Sequence, residues 1–128
     1  VVHNNKNIGA SIASGSFKAA GMVVVPCSMK TLSGIASSYA DNLLIRAADV
    51  VLKERRKLVI VPRESPLHTG HCELMLKASQ IGAIICPPSP AFYSKPESVD
   101  DIINHSAARI LDLFDIESES LKRWQGNV

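Results

Sequence analysis

Neither glycine-rich phosphate signature occurs in this sequence: there is no G-x-x-x-x-G-K-[ST] loop and no G-x-G-x-x-G run. A phosphate, if one is bound, is therefore held by other means. Cysteine is scarce and odd in number. Cys27, Cys72 and Cys86 lie far apart, which fits reduced thiols in the cytoplasm better than a disulfide framework. Charge of one sign is lacking too: 14 basic side chains face 12 acidic ones, a net charge of +2. No broad basic face exists for nucleic acid or an anionic membrane, so an anion site must come from a few placed residues. No apolar run approaches the roughly 18 residues of a membrane span. Aromatics make up only 5% of the chain. An initiator methionine, a basic leader and an Arg-rich presequence are all missing from the opening Val1-Val2-His3-Asn4-Asn5-Lys6. The expectation is a fragment of a longer domain.

What is present suits one globular domain over residues 1–128: 46% hydrophobic residues, enough for a core without metal or disulfide. Three continuous apolar runs stand out, Met22 to Pro26, Leu58 to Pro62 and Ala83 to Pro87. None alternates with polar residues, so each reads as a strand buried on both faces of a parallel sheet, ended by its proline. Between them, Thr31 to Arg56 has helical spacing, with Leu44, Ala47, Ala48 and Val51 on one face. A second helix is predicted from Thr69 to Gln80, stopped by Gly82, and a third opens at Ser98 with Asp101 at N3 and continues to Phe114. Strand and helix alternate, which implies a doubly wound α/β fold. Three strands make a narrow sheet.

In such sheets ligands bind beyond the carboxyl ends of the strands. Cys27-Ser28-Met29-Lys30-Thr31 lies at one such end and offers hydroxyls and helix-start N–H groups, suited to a phosphate, to a polar heteroaromatic edge, or simply to capping the helix. Arg63-Glu64 lies at the next, as a surface ion pair or as a functional pair. Arg46, Asp49 and Lys53 share one helix face; they can grip a phosphate, with Asp49 orienting both cations, or form a salt-bridge ladder. Arg55, Arg56 and Lys57 read as cations at a helix C-terminus. Ser14-Gly15-Ser16 is either a small anion nest or a turn. His68, His71 and Cys72 lack the further ligand a closed metal site needs, so no metal is assigned. Cys27 has no histidine partner nearby, and Ser28-Met29-Lys30 falls one residue short of Ser-x-x-Lys.

These segments, in this order, resemble the UbiX-like flavoproteins, flavin prenyltransferases once described as aromatic acid decarboxylases. The resemblance rests on Ser14-Gly15-Ser16, Pro26 to Leu32, Asp41-Asn42-Leu43, Arg46 to Val50, Leu52 to Arg56, Val61 to Glu64 and Pro90 to Tyr93, and covers nearly the whole chain. His68 to Met75 is more similar to the branch associated with hydroxyarylic (phenolic) acid decarboxylases. It implies a three-layer doubly wound parallel sheet, Rossmann or flavodoxin-like, here lacking an N-terminal strand and its flavin-phosphate loop. The implied activity joins the dimethylallyl group of dimethylallyl monophosphate to reduced FMN. The prenylated FMN would then serve a UbiD-type decarboxylase, and no metal is needed. Carried over by resemblance, Ser28, Met29, Lys30, Thr31 and Arg63 hold FMN. Ser14, Gly15, Arg46, Lys53, Tyr93 and Arg109 surround the prenyl phosphate. Arg46 and Lys53 stabilise the departing phosphate and Glu64, in a buried pair with Arg63, assists proton transfer. The family implies a homododecamer built from trimers. Two other readings are a decarboxylase using FMN directly and a non-catalytic flavin-delivery subunit.

Overall fold

In the computed structural model, which describes residues 1–119 and 126, the three apolar runs form one parallel sheet in the order β1-β2-β3. The strands are β1 (Gly21–Cys27), β2 (Lys57–Pro62) and β3 (Ala83–Ile85). Met22 pairs with Leu58 and Leu58 with Ala83, so the chain advances one strand per crossover. The central strand meets the sequence expectation: Leu58, Val59, Ile60, Val61 and Pro62 are all buried. The edge strand does not. Along β1, Val24 and Cys27 are buried while Val23 and Val25 are exposed, despite an unbroken apolar sequence. An edge strand covered on one face buries only alternate residues, whatever its composition.

The strand ends also differ from expectation. β1 continues through Pro26 to Cys27, with a register irregularity between Val24 and Cys27. A proline without an N–H is tolerated there because the position is both at an edge and at an irregularity. β3 stops at Ile85, before Cys86 and Pro87, though the Cys86 N–H still donates to the Ile60 carbonyl at 2.8 Å.

The stretch expected as one helix is two, α1 (Met29–Ala36) and α2 (Leu43–Lys53). Ser38, at φ 54°, turns the chain between them, and Asn42 caps α2 by accepting from the Ile45 N–H at 2.9 Å. The next two donors of that end are also taken: Leu43 N–H by the Asn5 carbonyl and Leu44 N–H by Asn5 Oδ1, both at 2.8 Å. Seven of the eleven residues of α2 are buried. That leaves Arg46, Asp49 and Lys53 on its remaining face. α3 runs from Thr69 to Gln80 as predicted, and Gly82 follows its C-cap at φ 116°, a conformation costly to other residues. α1 packs against α3, and Leu32, Ile35, Ile45, Ala48, Val51, Leu58 and Ile60 form the centre of the core.

The chain divides into two compact units, Val1–Pro87 and Pro88–Val128. The sheet and α1 to α3 belong to the first. The second contains a short 3-10 turn, Phe92–Ser94, and α4 (Val99–Asp112), which ends two residues before the predicted Phe114. Ser98 caps α4 by accepting from the Asp101 N–H at 3.1 Å, and Asp101 accepts from the Glu97 N–H at 2.9 Å. The tail segment carrying Trp124 lies outside the described residues. No described helix is long and apolar enough to cross a membrane.

Candidate functional site

Parallel pairing of β1 and β2 brings the two strand-end segments side by side. The Arg63 N–H donates to the Cys27 carbonyl at 3.2 Å, so Ser28 to Thr31 and Arg63-Glu64 leave the sheet from adjacent carboxyl ends. Ser28 caps α1: its Oγ accepts from the Thr31 N–H at 3.2 Å and lies 3.2 Å from Thr31 Oγ1. The N–H groups of Met29 and Lys30, the first two of the helix, have no acceptor among the described residues. Two open donors at a helix start, two hydroxyls and the exposed Lys30 and Arg63 make a donor set that fits a phosphate or the polar edge of a flavin. The Arg63-Glu64 pair, expected to be buried, is exposed: both residues follow the last residue of β2, past the edge of the core. One Glu64 oxygen accepts from the Ser65 N–H at 3.3 Å.

The second cluster is built around the loop before β1. A short 3-10 turn, Ser11–Ala13, packs on α2 and leads into Ser14-Gly15-Ser16. Three side chains from the α2 side meet this loop. Arg46 Nε donates to the Ala13 carbonyl at 3.2 Å. Arg56 donates through one guanidinium nitrogen to the Phe17 carbonyl at 2.7 Å and through the other to the Gly15 carbonyl at 3.0 Å. Lys53 approaches so closely that a Cβ on Gly15 would stand 2.7 Å from its Nζ and would overlap the Glu54 carboxylate. A side chain here would displace the flexible ends of Lys53 and Glu54. Thus four predicted residues distant in sequence, Ser14, Gly15, Arg46 and Lys53, come together in space. Arg56 was not among them; its sequence signal, a cation at a helix end, is too common to single it out.

The electrostatics of this cluster differ from the sequence reading in one respect. Asp49 reaches Arg46 at 3.7 Å, but Lys53 pairs with Glu54 at 2.6 Å instead. The hydrogen bond from Lys53 holds the Glu54 carboxyl below the usual carboxylate range, with the Lys53 charge adding to it. Behind the loop is a cavity of about 130 Å³ whose lining includes Ile12, Phe17, Met22, Ala47, Val50 and Arg56.

Tyr93 and Arg109 belong to the second unit: the Tyr93 ring meets the His105 ring edge-on at 6.1 Å, and Arg109 pairs with Asp112 at 2.7 Å. His68 and His71 form a reciprocal cap at the start of α3, each Nδ1 accepting from the other's backbone N–H at 3.3 Å with rings stacked at 3.6 Å. Among the described residues no group of three or more His, Cys, Asp or Glu is placed to hold a metal. Cys27 is buried, which pushes its thiol up to about 11, so it is a core residue and not a nucleophile.

A family profile described as Flavoprotein matches residues 3–111. Flavin prenyltransferase UbiX of Thauera aromatica is 58% identical over 126 residues, covering 98% of this chain and 65% of that protein. Flavin prenyltransferase UbiX of Escherichia coli (strain K12) is 59% identical, covering 98% and 68%. Among solved structures, AnUbiX (PadA1) in complex with FMN and dimethylallyl pyrophosphate superposes with a TM-score of 0.95 at 52% identity, covering 98% of this chain and 67% of that one. A dodecameric FMN-dependent UbiX-like decarboxylase from Escherichia coli O157:H7 superposes with a TM-score of 0.94 at 59% identity, covering 97% and 67%. The chain spans about two thirds of the length of the relatives it matches. It belongs to the flavoprotein family, and within it to the UbiX-like flavin prenyltransferases, with the flavodoxin-like fold those structures share.

Proposed function

We propose that this chain is part of a flavin prenyltransferase that transfers a dimethylallyl group from dimethylallyl monophosphate to reduced FMN. The observation that carries the reading is the packing of Gly15 onto Lys53, with Arg46 bound to the same loop. It joins residues about 40 positions apart into one cluster in which an ammonium and a guanidinium can meet a phosphate.

The chemistry divides between the two clusters. Breaking an allylic carbon–oxygen bond loads negative charge onto the departing phosphate, and an ammonium and a guanidinium facing it stabilise that charge. Lys53 supplies the ammonium once it exchanges Glu54 for the phosphate. Arg46 uses one of its five donors on Ala13 and keeps others for an anion. Ser14 and the backbone of Gly15 complete the niche. At the strand ends, Ser28, Thr31, the Met29 and Lys30 N–H groups and Arg63 would hold FMN, which when bound supplies the nucleophilic ring atoms. Glu64, exposed and next to Arg63 in the chain, would take up the proton that prenylation of the flavin releases.

In this reading the product serves as cofactor for a UbiD-type decarboxylase of hydroxyarylic acids, the enzyme is cytoplasmic, and it assembles as a homododecamer. Incubating the protein with reduced FMN and dimethylallyl monophosphate should yield a flavin heavier by one prenyl unit in mass spectrometry. Unchanged FMN, with carbon dioxide released directly from a hydroxybenzoate or hydroxycinnamate, would instead establish the direct decarboxylase. The second reading has specific support in the FMN-dependent decarboxylase that this chain resembles at 59% identity.

A further inference from the structure

We infer that Arg56 is a positioning residue for the prenyl-phosphate niche: it fixes the Ser14-Gly15-Ser16 loop against Lys53 and acts through that loop. The inference rests on the proposed reading of the niche and goes one step beyond it.

The local backbone aims Arg56 there. α2 ends at Lys53 with Glu54 as C-cap, and Arg55 takes the left-handed conformation at φ 58°. The Arg55 N–H then donates to the Leu52 carbonyl at 3.0 Å and the Arg56 N–H to the Val51 carbonyl at 2.9 Å. This paired closure of a helix end reverses the chain within two residues. The Arg56 side chain is thereby directed back along α2 toward the loop, where its fork takes the Gly15 and Phe17 carbonyls together.

Without those bonds the loop holds itself only locally. Its internal ties run from the Phe17 N–H to the Ser14 carbonyl at 3.1 Å, from the Ser16 N–H to Ser14 Oγ at 3.3 Å, and between Ser14 Oγ and Ser16 Oγ at 2.9 Å. None of these sets its distance from α2. Arg46 contributes one long-range bond, to Ala13, and faces the proposed phosphate as well. Arg56 contributes two, to the carbonyl of Gly15, the glycine beside Lys53, and to that of Phe17 two residues on. A guanidinium can bridge two carbonyls in fixed geometry, whereas a lysine ammonium on a flexible stem cannot hold both in register. A displacement of about 1 Å in a niche this tight is enough to lower turnover by up to about 100-fold.

The test compares the protein with Arg56→Gln, Arg56→Lys and Arg55→Gln, measuring prenylated flavin against dimethylallyl monophosphate concentration at saturating reduced FMN. Both Arg56 variants should raise KM for the prenyl phosphate about tenfold or more while the FMN dissociation constant stays within about twofold. Arg55→Gln removes an equal charge from the same helix end and should leave KM unchanged. The lysine variant keeps the charge and most of the stem, so it decides the matter if the glutamine variant folds poorly. An unchanged KM in Arg56→Lys overturns the inference, as does an equal shift in Arg55→Gln or an equal loss of FMN affinity. Absence of prenylated flavin from the unmodified protein overturns the reading of the niche itself; an active protein with indifferent Arg56 variants overturns only the positioning role.

Discussion

The two clusters of the first unit use cations in opposite ways. Around the Ser14-Gly15-Ser16 loop, each has a partner within the protein: Arg46 has Ala13 and Asp49, Lys53 has Glu54, and Arg56 has Gly15 and Phe17. At the ends of β1 and β2, the Lys30 and Arg63 side chains make no hydrogen bond or ion pair with any described residue, and two helix-start N–H groups stay open. One region is tied together within the protein; in the proposed reading the other makes its contacts on binding. A compact anion is served by the first arrangement, because a small ligand has few groups with which to order a loop. A broad, flat ligand can order flexible side chains itself, since its many contacts offset their lost rotamer freedom.

The largest effect that can break this division is at Lys53. Lys53→Met should lower prenyl transfer at least about 100-fold, the range seen when one preorganised donor to a developing charge is removed, while FMN affinity measured by fluorescence quenching stays unchanged. Equal loss of both would merge the two regions into one site. Next in size is a test of whether the open region conceals covalent chemistry. With its thiol at about 11, Cys27 should alkylate about 100-fold more slowly at pH 8 than a small-molecule thiol of ordinary pKa. Peptide mapping after iodoacetamide treatment checks this. The neutral thiol also gives a stability signature: its contribution is intact below about pH 9 and is lost as pH rises toward about 11.

A smaller effect separates cap from ligand contact at Ser28. Ser28→Ala should destabilise the protein by about 1 kcal/mol through the lost cap and weaken FMN binding by about five- to tenfold if the hydroxyl also serves the flavin. Ser28→Asn keeps a capping oxygen. It should restore the denaturation midpoint but not the FMN affinity; recovery of both would reduce Ser28 to a cap.

How much of this was legible in the residues differs between the same two regions. The strand-end segments could be read directly, because a buried parallel strand is a continuous apolar run and the carboxyl end of each run is where ligands bind. Even there, the uncovered face of β1 was invisible: Val23 and Val25 look like Ile60 and Val61 in composition, and only the position of β1 at the sheet edge exposes them. The break between α1 and α2 was missed because Ser37 to Asn42 contains neither glycine nor proline; its turn depends on a serine in a left-handed conformation. In the loop cluster, helix spacing correctly put Arg46, Asp49 and Lys53 on one face. It could not show that Lys53, at the last turn, would prefer its chain neighbour Glu54. The contacts of Arg56 span 39 and 41 positions, a separation at which no local pattern carries information.

The smallest effect tests that last correction. If Asp49 oriented both cations, as spacing alone allows, its loss would disturb Lys53 and raise KM for the prenyl phosphate. The observed pair is with Arg46 only, at 3.7 Å, between side chains 38% and 24% exposed. Pairs of that length and exposure contribute less than about 0.5 kcal/mol, so Asp49→Asn should change neither the denaturation midpoint nor KM by more than about twofold. Glu54 is the carboxylate that matters to Lys53, and its behaviour with pH differs in kind. Its hydrogen bond from Lys53 exists while the carboxylate is ionised, so that contribution is present above the ordinary carboxylate range and disappears as pH falls through the lowered value. Glu54→Gln should therefore flatten the acid side of the stability profile, where Asp49→Asn leaves it alone. A KM shift in Asp49→Asn as large as that of Lys53→Met would restore the helix-face arrangement and make the approach of Lys53 to the loop incidental.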